Sequence, residues 1–237
     1  MFKKLLTLLM SLTLILTITA CGSGTTTVQV TREDGSTETI VLESLKSQLE
    51  NVTTITEYAG NTSIDQMDTI TFGLDESSQP IEWIVLEKGN GKALLLSKYV
   101  LTSHQYNDEN VDITWENCTM RKWLNSEYIN TIFSKKEQGS ILTTDVINND
   151  NVQYGTNGGN NTKDKLFLLS IDEVNKYFSD NQRVATEIRG YSRAWWLRSS
   201  GGRQNSAANV HNYGDLYEDG YGVYNDDGVR PALWVKY

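Results

Sequence analysis

Residues 81–97, IEWIVLEKGNGKALLLS, decide the fold of the main part of this chain. Two apolar runs, Ile81–Leu86 and Ala93–Ser97, flank the dipeptide Asn90-Gly91. Asn-Gly between such runs is a strong hairpin signal, because a two-residue turn of this kind needs residues that accept positive φ angles. The sequence therefore predicts two antiparallel strands joined by a tight turn.

Helices are few and come before the strands that end the chain. One helical region is predicted over Asn117–Phe133, where apolar residues recur at helical spacing and Asn125-Ser126 interrupts the pattern. Capping boxes that begin at Ser134 and Ser170 predict two further short helices. Short antiparallel strands with a few short helices and long loops predict an α+β domain. Further strands are predicted at Ile141–Ile147, Ala194–Arg198, Ala207–Val210, Tyr221–Tyr224 and Val229–Val235.

Two loops are longer than the usual connection between elements. They cover Asn148–Asp164 and Ser179–Arg193. Loops of this length in a compact domain are commonly functional or disordered. We therefore expect ligand contacts to come from the long loops and from the C-terminal hairpins.

The first 21 residues have the pattern of an export signal. Lys3 and Lys4 precede an apolar run over residues 5–20, which is short for a membrane span. Ile18-Thr19-Ala20-Cys21 resembles the lipobox of bacterial lipoproteins, in which the cysteine is lipidated and becomes the mature N-terminus. The resemblance implies a lipoprotein signal peptide over 1–21, a lipidated Cys21 and a protein anchored at the extracytoplasmic face of the cell membrane. The alternatives are a cleaved signal with an incidental cysteine and an uncleaved anchor.

Residues 22–63 predict a flexible Gly/Ser/Thr tether, a small β-hairpin and a linker. The hairpin is indicated by Asp34-Gly35 between the runs Val28–Thr31 and Thr37–Leu42. Because a lone hairpin is marginally stable in water, we expect it to be a stalk that leans on the main domain. The main surface domain is assigned to residues 64–237.

The charge of the chain excludes one class of partner. Its 30 acidic and 21 basic residues give a net charge of −9, which argues against nucleic acid, because phosphate affinity depends on clustered Lys and Arg. Loss of Lys3 and Lys4 with the signal peptide takes the charge to −11, and anionic lipid headgroups should repel such a surface. Membrane attachment is therefore expected through the lipid on Cys21. Two cysteines and two histidines leave little material for zinc, haem or iron–sulfur sites.

Five motifs carry a resemblance to a known family. They are IEWIVL at 81–86, TMRKWLN at 119–125, KLFLLS at 165–170, WWLRS at 195–199 and GVRPAL at 228–233. Over Asp68–Tyr237 the chain resembles an uncharacterised domain family of Firmicutes surface proteins and lipoproteins, which has no established activity. The layout of Trp-Leu-Arg, glycine-spaced hairpins and a closing Gly-Val-Arg is similar to the C-type-lectin-like fold shared with formylglycine-generating enzymes. This similarity implies a compact domain with its termini close together and its long loops on one side.

Cys118 is the cysteine that remains in the main domain. At the predicted start of a helix, where the backbone dipole lowers a thiol pKa, it could be a nucleophile if His104 or His211 supplied a base. The alternative, which we adopt, is a small buried residue on a helix face. The reactive cysteine pair of the formylglycine enzymes has no counterpart in this sequence.

Arg198 and Arg230 lie inside apolar strands, where a charge must be paired or hydrogen-bonded. They could bind an anionic ligand in a bidentate manner, and Arg198 is a candidate ligand-binding residue. The alternative is that both arginines tie loops to the core. Arg121 and Lys122 are interpreted as ordinary charges on a helix face.

Carboxylates and amides crowd the C-terminal turns. Calcium takes six to eight oxygen ligands from such groups, which makes this region a candidate calcium site. Plain β-turns, in which Asp-Gly and Asn-Asp pairs are common, are the alternative. The candidate ligands are Asp215, Asp219, Asp226 and Asp227.

Four tyrosines recur through the same glycine-rich region. They are Tyr213, Tyr217, Tyr221 and Tyr224. Exposed rings beside amide groups suit the binding of a sugar or a peptide, because rings offer rigid apolar area and amides offer oriented hydrogen bonds. Cross-strand packing within a sheet is the alternative.

The sequence favours a lipid-anchored, extracytoplasmic binding module that recognises a glycan, a peptide or a partner protein. One rival is an enzyme acting on cell-wall or exported substrates, which would need paired carboxylates as acid and base because neither histidine has an evident partner. Another is a structural surface protein without a small ligand. The scarcity of nucleophile–base pairs favours binding over catalysis.

Overall fold

The computed structural model describes residues 15–20, 26–31, 37–42, 44–58, 62–188 and 190–237. The chain divides into two units, residues 1–48 and 49–237. Cys21, the predicted lipidation site, lies outside the described residues.

The first unit contains a three-stranded antiparallel sheet of β1 (Ile15–Ala20), β2 (Thr26–Thr31) and β3 (Thr37–Leu42), in that order. β2 and β3 pair along their whole length, which confirms the predicted hairpin. β1 pairs with β2 and lies inside the segment assigned to the export signal. Under that interpretation β1 belongs to the precursor.

Eleven further strands and five helices follow among the described residues. The helices are α1 (Leu45–Asn51), α2 (Thr119–Trp123), α3 (Ile129–Ile132), α4 (Lys135–Gln138) and α5 (Ile171–Tyr177). The strands are β4 (Thr69–Leu74), β5 (Pro80–Gly89), β6 (Lys92–Ser97), β7 (Thr102–Gln105), β8 (Thr144–Val146), β9 (Thr162–Asp164), β10 (Trp195–Ser200), β11 (Ser206–Val210), β12 (Leu216–Gly222), β13 (Asp226–Val229) and β14 (Ala232–Lys236). Short 3₁₀ helices cover Ile55–Glu57, Ile64–Gln66 and Asp180–Gln182. The predicted α+β class is confirmed.

One sheet of the second unit has the order β14-β6-β5-β4 and is antiparallel throughout. Its centre is the predicted hairpin of β5 and β6. Asn90 and Gly91 form the turn with φ angles of 52° and 70°, as the Asn-Gly pair predicts. Trp83 of β5 is fully buried, and its Nε1 donates to the Phe72 carbonyl oxygen on β4 at 2.6 Å.

The segment after Gln48 belongs to the core of the second unit. Leu49, Val52 and Ile55 are buried, although they fall in or beside the stretch predicted as a linker. The Lys88 ammonium on β5 donates to the carbonyl oxygens of Leu49 (3.2 Å) and Val52 (2.6 Å). Buried apolar side chains and a lysine that holds two carbonyl oxygens fix this segment against the sheet.

A second sheet has the order β12-β11-β10-β13-β7. Its strands are antiparallel except for β10 and β13, which meet in parallel at Trp195 and Gly228. A two-stranded sheet of β8 and β9 closes the base of the long loop between them. β8 is shorter than the strand predicted at Ile141–Ile147, because Ile141 instead forms an isolated bridge with Val235.

The chain passes from one sheet to the other at Arg230-Pro231. The sequence predicts one strand over Val229–Val235, but β13 ends in the five-stranded sheet and β14 begins in the four-stranded sheet. Pro231 has no N–H group to continue a ladder, and its carbonyl oxygen accepts from Ser97 N at 3.0 Å. Phe167 exchanges two backbone hydrogen bonds with Ala232 and so fixes the point where the new strand starts.

The helices follow their capping patterns. Both predicted capping boxes, Ser134 with Glu137 and Ser170 with Glu173, are present. The predicted interruption at Asn125-Ser126 is a π-helical turn over Leu124–Tyr128, which joins α2 to α3. Among the described residues, no helix has the length and apolar character that a membrane span requires.

Candidate functional site

The four tyrosines of the C-terminal region are all exposed. Strand β12 alternates along its length, so Tyr217, Asp219 and Tyr221 lie on its exposed face. Tyr213 precedes the strand, and Tyr224 follows it in a turn. The exposed fractions of these tyrosines run from 45% to 76%, which excludes packing in the core.

A β-bulge sets the orientation of the exposed face of β12. β12 is an edge strand of its sheet and pairs with β11, and the register shifts between Ala207 and Asn209. Gly220 lies in the bulge with a φ of 69°, and a Cβ atom at this position would lie 2.0 Å from the Ala207 carbonyl oxygen. Glycine therefore allows β12 to approach β11 closely at the centre of the tyrosine-bearing strand.

The strand predicted at Tyr221–Tyr224 is misplaced. β12 ends at Gly222, and residues 223–225 form a turn. The turn is closed by Asn225, whose backbone N–H and side-chain Nδ2 both donate to the Gly222 carbonyl oxygen at 3.0 Å. Tyr224 consequently lies in the turn and not in the strand.

The long loop after β8 borders the exposed face of β12. Asn151 Nδ2 donates to the carbonyl oxygens of Ser200 (2.9 Å) and Glu218 (2.8 Å). Thr156 Oγ1 donates to the Gly201 carbonyl oxygen at 2.7 Å. These bonds fix both sides of the loop tip, so Tyr154 between them is held beside β12.

Tyr154 and Asp219 together line two depressions, which have volumes of about 580 and 250 Å³. Tyr221 and Tyr224 border the larger depression, and Tyr217 borders the smaller one. We call the two depressions together the tyrosine groove. Polar side chains of the larger depression are those of Asn110, Arg203, Asn205, Ser206 and Asn225.

Two of the groove tyrosines are supported by neighbouring rings. The His211 ring stacks on Tyr217 with ring centroids 5.2 Å apart, and it also contacts Tyr213 at 5.5 Å. Tyr221 lies 6.4 Å from the buried Trp196 ring. The groove therefore presents rings whose positions are restricted before any ligand arrives.

A family model described as Domain of unknown function (DUF6273) matches residues 90–237, more than half of the chain. The chain belongs to the DUF6273 family. The matched residues contain the whole tyrosine groove and the sequence motifs except the one at 81–86. No curated protein and no solved structure shows significant similarity to the chain.

In the DUF6273 domain, Arg198 is a structural residue. It is buried, and its Nη1 and Nη2 donate to the carbonyl oxygens of Leu168 (2.7 Å) and Ile147 (2.9 Å). Both nitrogens also bind the Glu173 carboxylate, which caps α5 by accepting from Ser170 N at 2.9 Å. Both Nη nitrogens are thus engaged by protein groups, Nε has no hydrogen-bond partner among the described residues, and Arg198 lines neither of the two depressions, so nothing in the geometry supports it as a binding residue.

One buried ion pair of the DUF6273 domain was not predicted from the sequence. Asp164 is buried, and its Oδ1 accepts from Arg121 Nε at 2.7 Å. Its Oδ2 accepts from Trp115 Nε1 (3.1 Å) and Thr162 Oγ1 (2.6 Å). Arg121 is therefore not an ordinary helix-face charge, because it ties α2 to β9.

Cys118 is the N-cap residue of α2 in the DUF6273 domain. Its Sγ accepts from Arg121 N and donates to the Trp115 carbonyl oxygen, both at 3.4 Å. The side chain is fully buried, and burial raises the pKa of its thiol to about 12. Burial outweighs the influence of the helix, and the interpretation of Cys118 as a buried residue is confirmed.

We expect Cys118 to resist alkylation in the folded protein, because a thiol with a raised pKa carries little thiolate near neutral pH. The measurement is iodoacetamide labelling at pH 8 of a Cys21→Ser chain, with the same chain in guanidinium as the fully reactive control. Cys118→Ala should leave ligand binding unchanged. Rapid labelling of the folded chain would restore the nucleophile hypothesis.

The four aspartates of the candidate calcium site have different surroundings. Asp227 is buried, accepts from Asn209 Nδ2 at 2.9 Å, and has its pKa raised by burial. Asp219 lines the tyrosine groove, while Asp215 and Asp226 are exposed. In the described ranges, no three His, Cys, Asp or Glu side chains lie close enough together to hold a metal ion. The calcium site stays a prediction without support from this geometry.

Proposed function

We propose that the DUF6273 domain of this chain is a binding module that holds a glycan in the tyrosine groove. The observation that supports this proposal is that tyrosine rings from separate parts of the chain line the same groove. Tyr154 from the long loop and Tyr217 and Tyr221 from β12 border one groove, with Asp219 shared by both depressions.

The groove offers the two kinds of contact that a sugar needs. A sugar ring has apolar C–H faces, on which rigid tyrosine rings stack at a small cost in conformational entropy. Its hydroxyl groups are bound by amide and carboxylate groups, here Asn205, Asn225 and Asp219. Asn205 Nδ2 donates to Asn110 Oδ1 at 3.0 Å, so these amides have a fixed orientation.

A peptide suits this groove less well. Peptide recognition relies on pockets for apolar side chains, and Leu216 is the one aliphatic side chain among the described residues that line the groove. The enzyme alternative gains no support either, since Cys118 is buried and Asp227, whose pKa is raised, does not line the groove.

The direct test is a glycan array probed with the purified full chain in detergent. We expect binding to a set of glycans that share a backbone, with displacement by the same glycan free in solution. A peptide array under the same conditions is the comparison. Binding to peptides with no glycan bound would overturn the proposal.

We also propose that the module has a C-type-lectin-like fold and is anchored to the membrane by a lipid on Cys21. One observation agrees with the fold: the C-terminal strand β14 and the early strands β4 and β5 belong to one sheet, which brings the ends of the domain together. The anchor rests on the lipobox-like sequence that ends at Cys21.

We expect Cys21→Ser to remove the anchor. Two acyl groups hold a protein firmly because each buried methylene contributes about 0.8 kcal/mol, whereas the acidic protein surface gains nothing from anionic headgroups. Metabolic labelling with a fatty acid should disappear, and the protein should be secreted or remain as unprocessed precursor. Cys118→Ser is the matched control and should keep its label. Unchanged labelling of Cys21→Ser would contradict the lipoprotein assignment.

A further inference from the structure

A second depression lies beside the tyrosine groove, with a volume of about 530 Å³. Its lining differs from that of the groove, because it holds side-chain amides and carboxylates and, among the described residues, no aromatic ring. We call it the amide cavity. The amide and carboxylate side chains that line it are those of Asp112, Glu116, Asn117, Asn157, Asn160 and Gln204.

The walls of the amide cavity are fixed in place. Glu116 accepts from the backbone N–H and the Nδ2 of Asn160. Gly159 has a φ of 84°, and a Cβ atom there would lie 2.6 Å from Thr114 Oγ1, so the two walls touch at this point. A cavity with such walls exists before a ligand enters, which lowers the entropic cost of binding.

The amide cavity and the tyrosine groove are neighbours, because three chain segments line both. Asn110 borders the groove, and Asp112 the cavity. Tyr154 borders the groove, and Asn157 the cavity. The third segment is 203–205, in which Arg203 and Asn205 border the groove and the residue between them borders the cavity.

That intervening residue, Gln204, lines the amide cavity, while its two neighbours in the chain line the groove. Its Nε2 donates to the carbonyl oxygens of Ile113 (3.0 Å) and Asn157 (2.9 Å). Its Oε1 accepts from Asn157 N at 2.9 Å. The Gln204 side chain thus fixes the segments of Ile113 and Asn157 relative to each other. Along the chain, a single residue separates the two residues that line the groove.

From this arrangement we propose that the ligand is a polysaccharide that runs from the tyrosine groove over Gln204 into the amide cavity. The inference rests on the proposed glycan-binding function and adds that the domain binds several consecutive sugar units of a polymer, not a single sugar. The groove supplies stacking, and the cavity supplies hydrogen bonds to the hydroxyls of further sugar units.

The charge of the cavity restricts the polymer. Asp112 and Glu116 line the cavity, and none of its described lining residues is Lys or Arg. Carboxylates in a polysaccharide would face like charges there, whereas hydroxyl, acetamido or amino groups would not. The polymer class is therefore a neutral or amino-sugar polysaccharide.

The test is a length series. The full chain in detergent is titrated with oligomers of glucose, N-acetylglucosamine and glucosamine, from the disaccharide to the octasaccharide, and with polygalacturonate as the anionic polymer. For the sugar that binds, we expect affinity to increase about a hundredfold from the shortest to the longest oligomer, because the second site adds its contacts intramolecularly. Polygalacturonate should not bind.

Asp112→Ala/Asn117→Ala is the variant that separates the two sites. Both residues are exposed, so folding should be retained. We expect affinity for the octasaccharide to fall at least about tenfold and affinity for the disaccharide to stay unchanged. Asp65→Ala/Asn181→Ala, at exposed positions outside both sites, is the matched control.

Three results would overturn the inference. These are an affinity independent of length, an octasaccharide affinity unaffected by the cavity variant, and measurable binding of polygalacturonate. Each can occur while short oligomers still bind to the groove, in which case the proposed glycan-binding function stands. If no oligomer of any length binds, the proposed function fails and this inference fails with it.

Discussion

Replacement of both Tyr217 and Tyr221 by alanine is expected to abolish glycan binding and to leave the melting temperature within a few degrees of the unmodified chain. Both rings lie on the exposed face of β12, and 45% and 51% of their surfaces are exposed. Removal of one central aromatic contact typically costs about 2 kcal/mol of binding free energy. Loss of two predicts about a thousandfold weaker binding, which removes a micromolar interaction from the measurable range.

A double phenylalanine variant distinguishes the contribution of ring stacking from that of the tyrosine hydroxyl groups. Tyr217→Phe/Tyr221→Phe keeps both rings and should retain most of the affinity. Tyr191→Ala, which removes a tyrosine that is 73% exposed and does not line the groove, is the matched control and should bind normally. The measurements are calorimetric titration with a glycan from the array and thermal unfolding. A double alanine variant that unfolds would show that the rings are part of the core and that the site assignment is wrong.

Arg230→Ala is expected to lower the free energy of unfolding by about 3 kcal/mol, and the melting temperature by about 10 °C. Arg230 is fully buried between the rings of Trp195 and Phe178, whose centroids lie 4.9 and 5.7 Å from its guanidinium carbon. Alanine at this position would leave a cavity almost as large as the arginine side chain, at the point where the chain passes from one sheet to the other.

The charge of the Arg230 guanidinium contributes less to stability than the volume that the side chain fills. Nε donates to the Ser97 carbonyl oxygen at 2.8 Å, but Nη1 and Nη2 have no hydrogen-bond partner in the part of the chain that the structure describes. Burial lowers the pKa of Arg230, which marks the cost of keeping this charge away from water. A buried charge with few bonds can often be replaced by an apolar side chain of similar size.

We therefore expect Arg230→Met to lose no more than about 1.5 kcal/mol, and Arg230→Lys to lose more than Arg230→Met, because a strongly hydrated ammonium cannot stack between two rings. Arg203→Ala, at an exposed position, should leave stability unchanged. Urea unfolding of the four variants measures the loss in free energy of unfolding for each and so ranks them. Equal losses for Met and Ala would show that hydrogen bonds, and not packing, make Arg230 necessary.

Local structure was predictable wherever neighbouring residues determine it. Asn90-Gly91 indicates its turn because few other pairs accept positive φ angles, and Ser170 with Glu173 indicates the start of α5 because both side chains bond to the same helix end. The break at Arg230-Pro231 lies inside an apolar run and was not predicted. The residues before Pro231 pair in the five-stranded sheet, and those after it pair in the four-stranded sheet. A hydrophobic pattern does not show which of two sheets a strand joins.

The candidate site was predictable only in part, for the same reason. The crowding of tyrosines with glycine in 213–224 pointed to a recognition surface, but the strand was predicted at Tyr221–Tyr224, so the sequence did not place Tyr217 and Tyr221 together on the exposed face of β12. Tyr154 was missed. Its place beside β12 depends on bonds from Asn151 to Ser200 and Glu218, which join parts of the chain that are far apart in sequence.

The pairing of β14 with β6 has a consequence for how the domain forms during synthesis. Its last strand, Ala232–Lys236, lies against a strand that is made much earlier, Lys92–Ser97. Contacts of such large sequence separation must close a long loop before they stabilise anything, which makes folding slow and late. The four-stranded sheet therefore cannot be completed until β14 has left the ribosome, and the edge of β6 that β14 will cover stays unpaired while the residues between the two strands are synthesised.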